Sequence, residues 1–479
     1  MEITLETIKK KSMSGILALT GRTFVLQIIA FGATFALTIL LTPSIFGVFY
    51  VVSAIVSFLS YFSDIGLAAA LIQKKEAVTD EELKTTFTIQ EALVLLACLV
   101  LFALSSVIQQ FYNLDSSGLW LLRALIISFL LSSLKTIPSI ILERKLDFGK
   151  LVIPQIVETL LFYGVAVGCA LGNLGVASFS YAVIVRAIAG VVVLYLIAPW
   201  KPGLMWDRTI AKHLMKFGVP FQANSLLALV KDDLLTVVLG KVLPLSAIGY
   251  IGWAKKWAEV PLRLIMDSVI RVTFPTFSRL QHDTKLVGKA IETSFFGLAA
   301  AILPITISMI FFIRPVVDII PRYGKWEPAI IVFYLFALSS FFAAFSTPLT
   351  NAINAIGKIK ITLFLMIGWT ALTWIFTLVA LPIFGFPGVA VAHLLISTSV
   401  VGVVGVARKF VYFRVWQPVK FVMIAGGILV LFYATAFRFI PVTAVTLTVT
   451  GILGVILYGT LLWVMEKDRI SHILATLKR

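Results

Sequence analysis

Predominantly apolar stretches, each long enough to cross a bilayer, recur from one end of this chain to the other. A helix needs about 20 such residues to cover a hydrocarbon core ~30 Å thick, and inside that core every backbone polar group must be satisfied within the protein. The stretches are continuous and do not alternate, so they predict helices and exclude a β-barrel. Fourteen spans follow, at roughly 15–41, 45–72, 84–111, 117–141, 151–170, 174–199, 217–240, 244–271, 286–313, 327–353, 359–384, 387–407, 419–439 and 442–465. Of the 479 residues 60% are hydrophobic and 13% charged, and no segment has the composition of a water-soluble domain. The expected fold class is an all-α polytopic membrane protein with about fourteen transmembrane helices. The basic N-terminus runs straight into a full-length span, which reads as an uncleaved first helix.

The net charge of +17 is organised by topology. With the N-terminus in the cytoplasm, the external loops hold only Lys241, Arg314, Arg322, Lys325 and Arg438. The cytoplasmic ends collect most of the rest, including Lys9, Lys10, Lys11, Lys74, Lys75, Arg144, Lys145 and Arg408. This bias predicts a multi-pass protein of a bacterial or archaeal plasma membrane with both termini cytoplasmic, attracted to anionic lipids. Basic residues dispersed among loops argue against nucleic acid as a partner. Cys98 and Cys169 lie in apolar runs and read as core packing. There is no zinc spacing, P-loop or nucleophile elbow, so neither an enzyme nor a resident cofactor is expected. Two cytoplasmic segments are amphipathic. In 204–217, Trp206, Ile210, Leu214 and Phe217 share a face; near the C-terminus, Ile470, Ile473, Leu474 and Leu477 do. Both suit helices lying in the membrane interface.

A short repeat divides the chain. LTPSIFGVF (41–49) opens the second span and LPLSAIGYI (243–251) the eighth. Gly175-Val176-Ala177 opens the sixth and Gly388-Val389-Ala390 the twelfth. Two parallel six-span lobes, a transporter architecture, explain both pairs. The expected organisation is an N-terminal lobe over 1–200, an amphipathic linker over 201–216, a C-terminal lobe over 217–410, and two further spans with a tail over 411–479.

Ionisable residues at bilayer depth are costly unless paired or facing a wet cavity, so they mark where such a chain acts. In IGWAKKWAEVPLRLIMD (251–267), Lys255, Glu259, Arg263 and Asp267 fall four apart with alternating sign, a ladder able to neutralise itself. Lys256 lies off that ladder and is the better cavity cation. Pro261 should kink the helix. Arg22, Arg186 and Lys135 are further cavity cations, although Arg22 and Lys135 are near enough to the cytoplasmic face to snorkel, as Arg123 is to the outer face. The acids at depth are Asp64, Glu91, Glu158, Asp232 and Asp233. Some must balance the cations. In Lys231-Asp232-Asp233 the two carboxylates cannot share one face, so at least one should meet Lys231 or another helix, and the other could bind Na⁺ or a proton. A cavity rich in Arg and Lys attracts an anion such as a lipid-linked pyrophosphate.

The stretch 41–75, with Pro43, Phe46-Gly47 and Asp64-Ile65-Gly66-Leu67, resembles the start of Wzx-type polysaccharide flippases of the multidrug/oligosaccharidyl-lipid/polysaccharide exporter superfamily. Residues 216–283 match the family's F-G-x-P, D-D, G-Y, A-x-K, P and F-P-x-x-S-R pattern, here Phe217-Gly218, Pro220, Asp232-Asp233, Gly249-Tyr250, Ala254, Lys256, Pro261 and Phe274 to Arg279. The chain is most similar to the colanic-acid and teichuronic-acid exporter branch. The resemblance implies a two-lobed, V-shaped fold of the kind shared with multidrug and peptidoglycan-lipid exporters. It implies alternating access and outward movement of undecaprenyl-pyrophosphate-linked oligosaccharide, alongside polymerase and export machinery. On that basis Arg22, Lys255, Lys256, Arg186 and Lys135 are pyrophosphate-binding candidates, and Asp232, Asp233, Asp64 and Glu259 are ion-coupling or charge-balancing candidates. The sodium site of the peptidoglycan-lipid branch uses an acid in span 7 and groups in spans 11 and 12. Here those spans offer only Thr370, Thr373, His393 and Thr398, which leaves Na⁺, H⁺ or no coupling open. A multidrug exporter of the same superfamily is the alternative; it would favour an acidic cavity over the cations found here. An O-antigen polymerase or ligase would need a large external loop, and a transport-inactive scaffold would have little use for charges at depth.

Overall fold

The computed structural model describes residues 26–61 and 65–477. Among these the regular structure is helical, with no strand. The chain forms two compact units, Met1–Gly249 and Tyr250–Arg479. In the first, α1 (Leu26–Leu40) and α2 (Pro43–Ser60) are followed by short α3 (Leu67–Gln73) and long α4 (Asp80–Phe111). Next come α5 (Ser116–Ser133), α6 (Thr136–Arg144), α7 (Phe148–Leu171) and α8 (Ala177–Ile197). Then α9 (Arg208–Leu229) passes through a π-helical turn (Val230–Leu234) into α10 (Leu235–Val242), and α11 (Leu245–Ala258) straddles the boundary between the units. The second unit continues with α12 (Val260–Leu280), α13 (Thr284–Ile319), a 3₁₀ turn (Gly324–Ala329), α14 (Ile330–Ala344), α15 (Ser346–Ala355) and α16 (Ile359–Phe384). It ends with α17 (Gly388–Ser397), α18 (Val400–Arg408), α19 (Trp416–Phe439) and α20 (Ala444–Leu477).

Helix starts follow local chemistry. Thr79 and Glu82 form a reciprocal capping box, with Glu82 N–H donating to Thr79 Oγ1 at 3.3 Å and Thr79 N–H to Glu82 Oε2 at 3.0 Å. Asp115, Asp207 and Asp283 accept from the first free N–H groups of α5, α9 and α13. Arg144, at the end of α6, donates to the carbonyls of Leu71, Lys74 and Glu76 and so ties down the turn after α3.

Eleven described helices or joined pairs are long and apolar enough to cross a membrane, and they match spans 2–6 and 9–14. This is a multi-pass membrane protein. Leu26–Leu40 covers the described part of span 1. Spans 7 and 8 became α9–α10 and α11–α12, which carry the charged runs and are each interrupted. Segment 204–217 is not a helix of its own. Asp207 caps α9, and Ala211 and Leu214 are buried against Leu67, Leu71 and Phe87, while Trp206 and Phe217 are exposed. The C-terminal segment is joined to α20 across a non-helical residue, Glu466, and Ile470 packs on a core cluster that includes Phe296 and Val422. Cys98 and Cys169 are free thiols, the first buried and the second partly so.

The repeat is visible as matched packing. In the first unit α7 and α8 form a hairpin and α8 packs on α5; in the second α16 and α17 form a hairpin and α17 packs on α14. The two glycine motifs also meet reciprocally. A Cβ added at Gly47 would lie 1.7 Å from the Leu245 carbonyl oxygen, and one at Gly249 would lie 1.9 Å from that of Pro43. The starts of α2 and α11 therefore cross backbone to backbone, which only glycine allows. Gly47→Val should destabilise the protein by about 3 kcal/mol or more, at the upper end for overpacking, read as a lowered thermal unfolding midpoint in detergent. Gly164→Ala, where nothing lies within 4 Å, should be neutral or slightly stabilising.

Candidate functional site

In the first unit two expected cavity cations converge on one acid. Lys135, at the junction of α5 and α6, places Nζ 2.6 Å from Glu158 Oε1 on α7, and Arg186 on α8 places Nε 3.6 Å from Glu158 Oε2. Lys135 therefore pairs inside the unit. Arg186 also lies over the Phe162 ring, 5.8 Å from its centroid, with its side chain about half exposed. Gly190 makes room for the carboxylate, since a Cβ there would lie 2.0 Å from Glu158 Oε1. The cluster carries a net positive charge, and Arg186 is its looser, more accessible member. Glu158 as the hub was not apparent from the sequence, because no spacing links residues 135, 158 and 186.

The Lys231-Asp232-Asp233 run occupies the π-helical turn. Such a turn adds one residue to a helical repeat and is frequent at functional sites. Ser57 Oγ on α2 donates to Asp233 Oδ2 at 2.9 Å, and Lys231 Nζ stands 3.9 Å from Asp232 Oδ2. The adjacent acids thus find different partners, one on another helix and one beside it in sequence. The sequence carries no separate signal for the π turn.

In the second unit Lys255 and Lys256 are half-buried on the last turn of α11. Their helix is fixed by Trp253, which stacks on Trp326 at 5.3 Å and donates through Nε1 to the Tyr323 hydroxyl at 3.2 Å. The helix is interrupted at Glu259, and Pro261 sits in the first turn of α12 where its missing N–H is tolerated. The expected kink falls here. Within the expected ladder the Glu259–Arg263 rung is in place at 2.9 Å. Trp253 is the anchor that charge-based reading missed.

Arg22 and Asp64 lie outside the described residues. Thr370, Thr373 and Thr398 donate to carbonyls of their own helices, those of Met366, Trp369 and Leu395. The His393 ring packs edge-on against Phe336. An apolar cavity of about 630 Å³ between α13 and α20 is lined by residues such as Phe312, Val316, Leu447 and Ile452, and no charged residue lines it. Among the described residues no cluster of His, Cys, Asp and Glu could hold a metal ion.

Comparison with known proteins places this arrangement. The family model described as polysaccharide biosynthesis protein matches residues 36–331. The chain is 24% identical over 302 residues to the succinoglycan biosynthesis transport protein ExoT of Rhizobium meliloti (strain 1021), covering 63% of this chain and 60% of that protein. It is 22% identical over 335 residues to the lipopolysaccharide biosynthesis protein WzxC of Escherichia coli (strain K12), with 66% and 64% covered. It is also 22% identical over 298 residues to the teichuronic acid biosynthesis protein TuaB of Bacillus subtilis (strain 168), with 62% and 61% covered. The matches span 60–64% of these relatives' own length. Among solved structures, the lipid II flippase MurJ in an inward closed conformation aligns with a TM-score of 0.74 at 14% identity, covering 93% of this chain and 100% of that one. An inward-facing multidrug resistance MATE family transporter of the MOP superfamily aligns at 0.58 and 14% identity, with 81% and 95% covered. At that identity the likeness establishes the fold, which is the one expected.

Glu158→Gln would leave Lys135 largely buried without its counter-charge. A loss of about 3 kcal/mol is expected, against less than ~1 kcal/mol for Arg186→Gln, whose pairing is longer and solvent-accessible. Thermal unfolding of both variants in nanodiscs checks the difference.

Proposed function

The chain belongs to the polysaccharide biosynthesis protein family, and from that membership we propose that it is a flippase rather than an enzyme. In this reading it moves undecaprenyl-pyrophosphate-linked oligosaccharide units from the cytoplasmic to the outer leaflet by alternating access. The observation that carries the reading is the adjacent pair Lys255 and Lys256, half-buried at the end of a helix anchored by Trp253. From Lys255 to Arg263 the sequence holds three cations and one acid, Glu259. Such a group suits a phosphate-bearing headgroup far better than the organic cations carried by drug exporters. Arg186 can supply a forked contact because its guanidinium is accessible and only loosely held by Glu158.

In the same reading spans 1, 7 and 8 also cross the membrane, both termini are cytoplasmic, and the membrane is the bacterial or archaeal plasma membrane. Lys135 has a supporting part, positioning Glu158. Arg22 adds a further cation, while Asp64 and Glu259 balance charge. Asp232 and Asp233, set in the π turn, are placed to balance charge or to respond to a Na⁺ gradient. Polysaccharide polymerase and export machinery would act on the product.

The test is flipping of a fluorescent undecaprenyl-pyrophosphoryl oligosaccharide in proteoliposomes, followed by its accessibility to an impermeant quencher. Lys256→Ala and Arg186→Ala should each slow flipping about tenfold, the worth of one charge-assisted contact, with folding intact. Flipping unchanged in both variants would move the phosphate site elsewhere. Transport of ethidium-type dyes without lipid flipping would establish the drug exporter instead.

A further inference from the structure

Glu91 lies eleven residues into α4, only 7% exposed, in a part of the first unit that the phosphate reading does not use. Its Oε2 is 2.9 Å from Ser133 Oγ on α5. The same Ser133 Oγ is 2.7 Å from the Leu130 carbonyl oxygen. A serine hydroxyl has one hydrogen to give, a carbonyl can only accept, and an ionised carboxylate can only accept. If Glu91 were ionised, one of the two contacts would set oxygen lone pairs against each other. Both are satisfied if Glu91 carries a proton and donates to Ser133 Oγ, while Ser133 donates to Leu130. The other carboxyl oxygen agrees: Glu91 Oε1 is buried and has no hydrogen-bond partner. That is tolerable for the carbonyl oxygen of a neutral acid and very costly for half of a carboxylate.

Among the described residues no cation forms an ion pair with Glu91. On α4 itself Lys84 pairs with Asp80, and Glu82 with Lys74. On α5 Arg123 lies over Phe102, toward the opposite end of α4. Lys135 is held by Glu158 at 2.6 Å. On α6 Arg144 is spent on loop carbonyls, and Glu143 is itself an acid. Tyr195 of α8 donates to the Leu134 carbonyl. Among described residues α3 has no ionisable side chain and α2 has only Tyr50, while α9 brings the basic Arg208, Lys212, His213 and Lys216 in its first turns. Cys98, two turns along α4, has its sulfur 3.6 Å from the Ile126 carbonyl. The neighbouring Gln90 donates to Thr136 Oγ1 at 2.7 Å, so the α4 face at this level is polar yet uncharged.

We propose that Glu91 is a proton-binding site: it holds a proton in this conformation, exchanges it when α4 and α5 rearrange, and is the group through which a proton gradient acts on transport. The last clause rests on the flippase reading; the first does not.

The site is tested without transport. At near-neutral pH in nanodiscs, the infrared spectrum of wild type should contain the carbonyl stretch of a protonated carboxylic acid. Glu91→Gln should lose it, and Ser133→Ala should shift it. Glu81→Gln, at an exposed acid, should lose only ionised-carboxylate bands. Loss of only ionised-carboxylate bands in Glu91→Gln would overturn the site. Gln can make the same donation to Ser133, so this variant should fold with an unchanged thermal midpoint. In proteoliposomes an imposed proton gradient should change the wild-type flipping rate severalfold and leave the Glu91→Gln rate unchanged. An equal response in both would overturn the coupling role. Absence of flipping in wild type, with the infrared band present, would overturn the flippase reading and the coupling with it, and uphold the proton site.

Discussion

An ionised group at bilayer depth costs several kcal/mol unless another group in the protein answers it, and this constraint decides where the helices of the first unit meet. Glu158 draws Lys135 and Arg186 to α7 from either side, and Gly190 is the space that admits it. Asp233 reaches Ser57 across 176 residues of sequence and so links the π turn to α2. Glu91 meets the constraint differently, by surrendering its charge. Hydrophobic contact alone would leave α4, α5, α7 and α8 free to slide, because lipid tails are as apolar as leucine; polar contacts and close packing supply the register. Each polar contact fixes one helix against another at one height.

The second means of fixing helices is the removal of side chains. At Gly47 and Gly249 the backbones of α2 and α11 come close enough for a carbonyl to occupy the place of a Cβ. A similar approach joins Gly66, in the left-handed region at φ +75°, to the Gly218 carbonyl. Such crossings are compact and contain no long side chain to readjust, so they either hold or separate as a whole. That is the mechanical character the proposed alternating-access reading calls for.

The elements that could be read from sequence are those whose signal is local. Continuous apolar runs gave eleven of the spans. The paired glycine motifs announced the repeat, though not that the two copies touch. Pro261 announced the break after α11. The partners of the charges were not legible, because Ser57 and Asp233, or Lys135 and Arg186, are related only through tertiary packing. The four-residue spacing of Lys255, Glu259, Arg263 and Asp267 is local too, and its Glu259–Arg263 pair is in place although the regular helix is broken at Glu259. Segment 204–217 shows the limit of such local signals. Its apolar stripe is real, but part of it packs against α3 and α4 rather than against lipid.

The break at Glu259 bears on how two cations can sit in such a chain. On the side toward the start of α11, Trp253 is wedged among Trp326, Tyr323 and Phe333 and is almost wholly buried, so that part of the helix cannot rotate without dismantling an aromatic cluster. On the far side, the Glu259–Arg263 pair closes the start of α12. Lys255 and Lys256 fall between an aromatic anchor and the break in the regular helix at Glu259. Two adjacent ammonium groups point about 100° apart around a helix, so they cannot grip one compact anion as a guanidinium fork does. They can approach a diphosphate from two sides, each as a point charge on a flexible stem. A ligand held this way is recognised by its charge and its extent more than by the detail of its sugars, which is the discrimination that the proposed function would require.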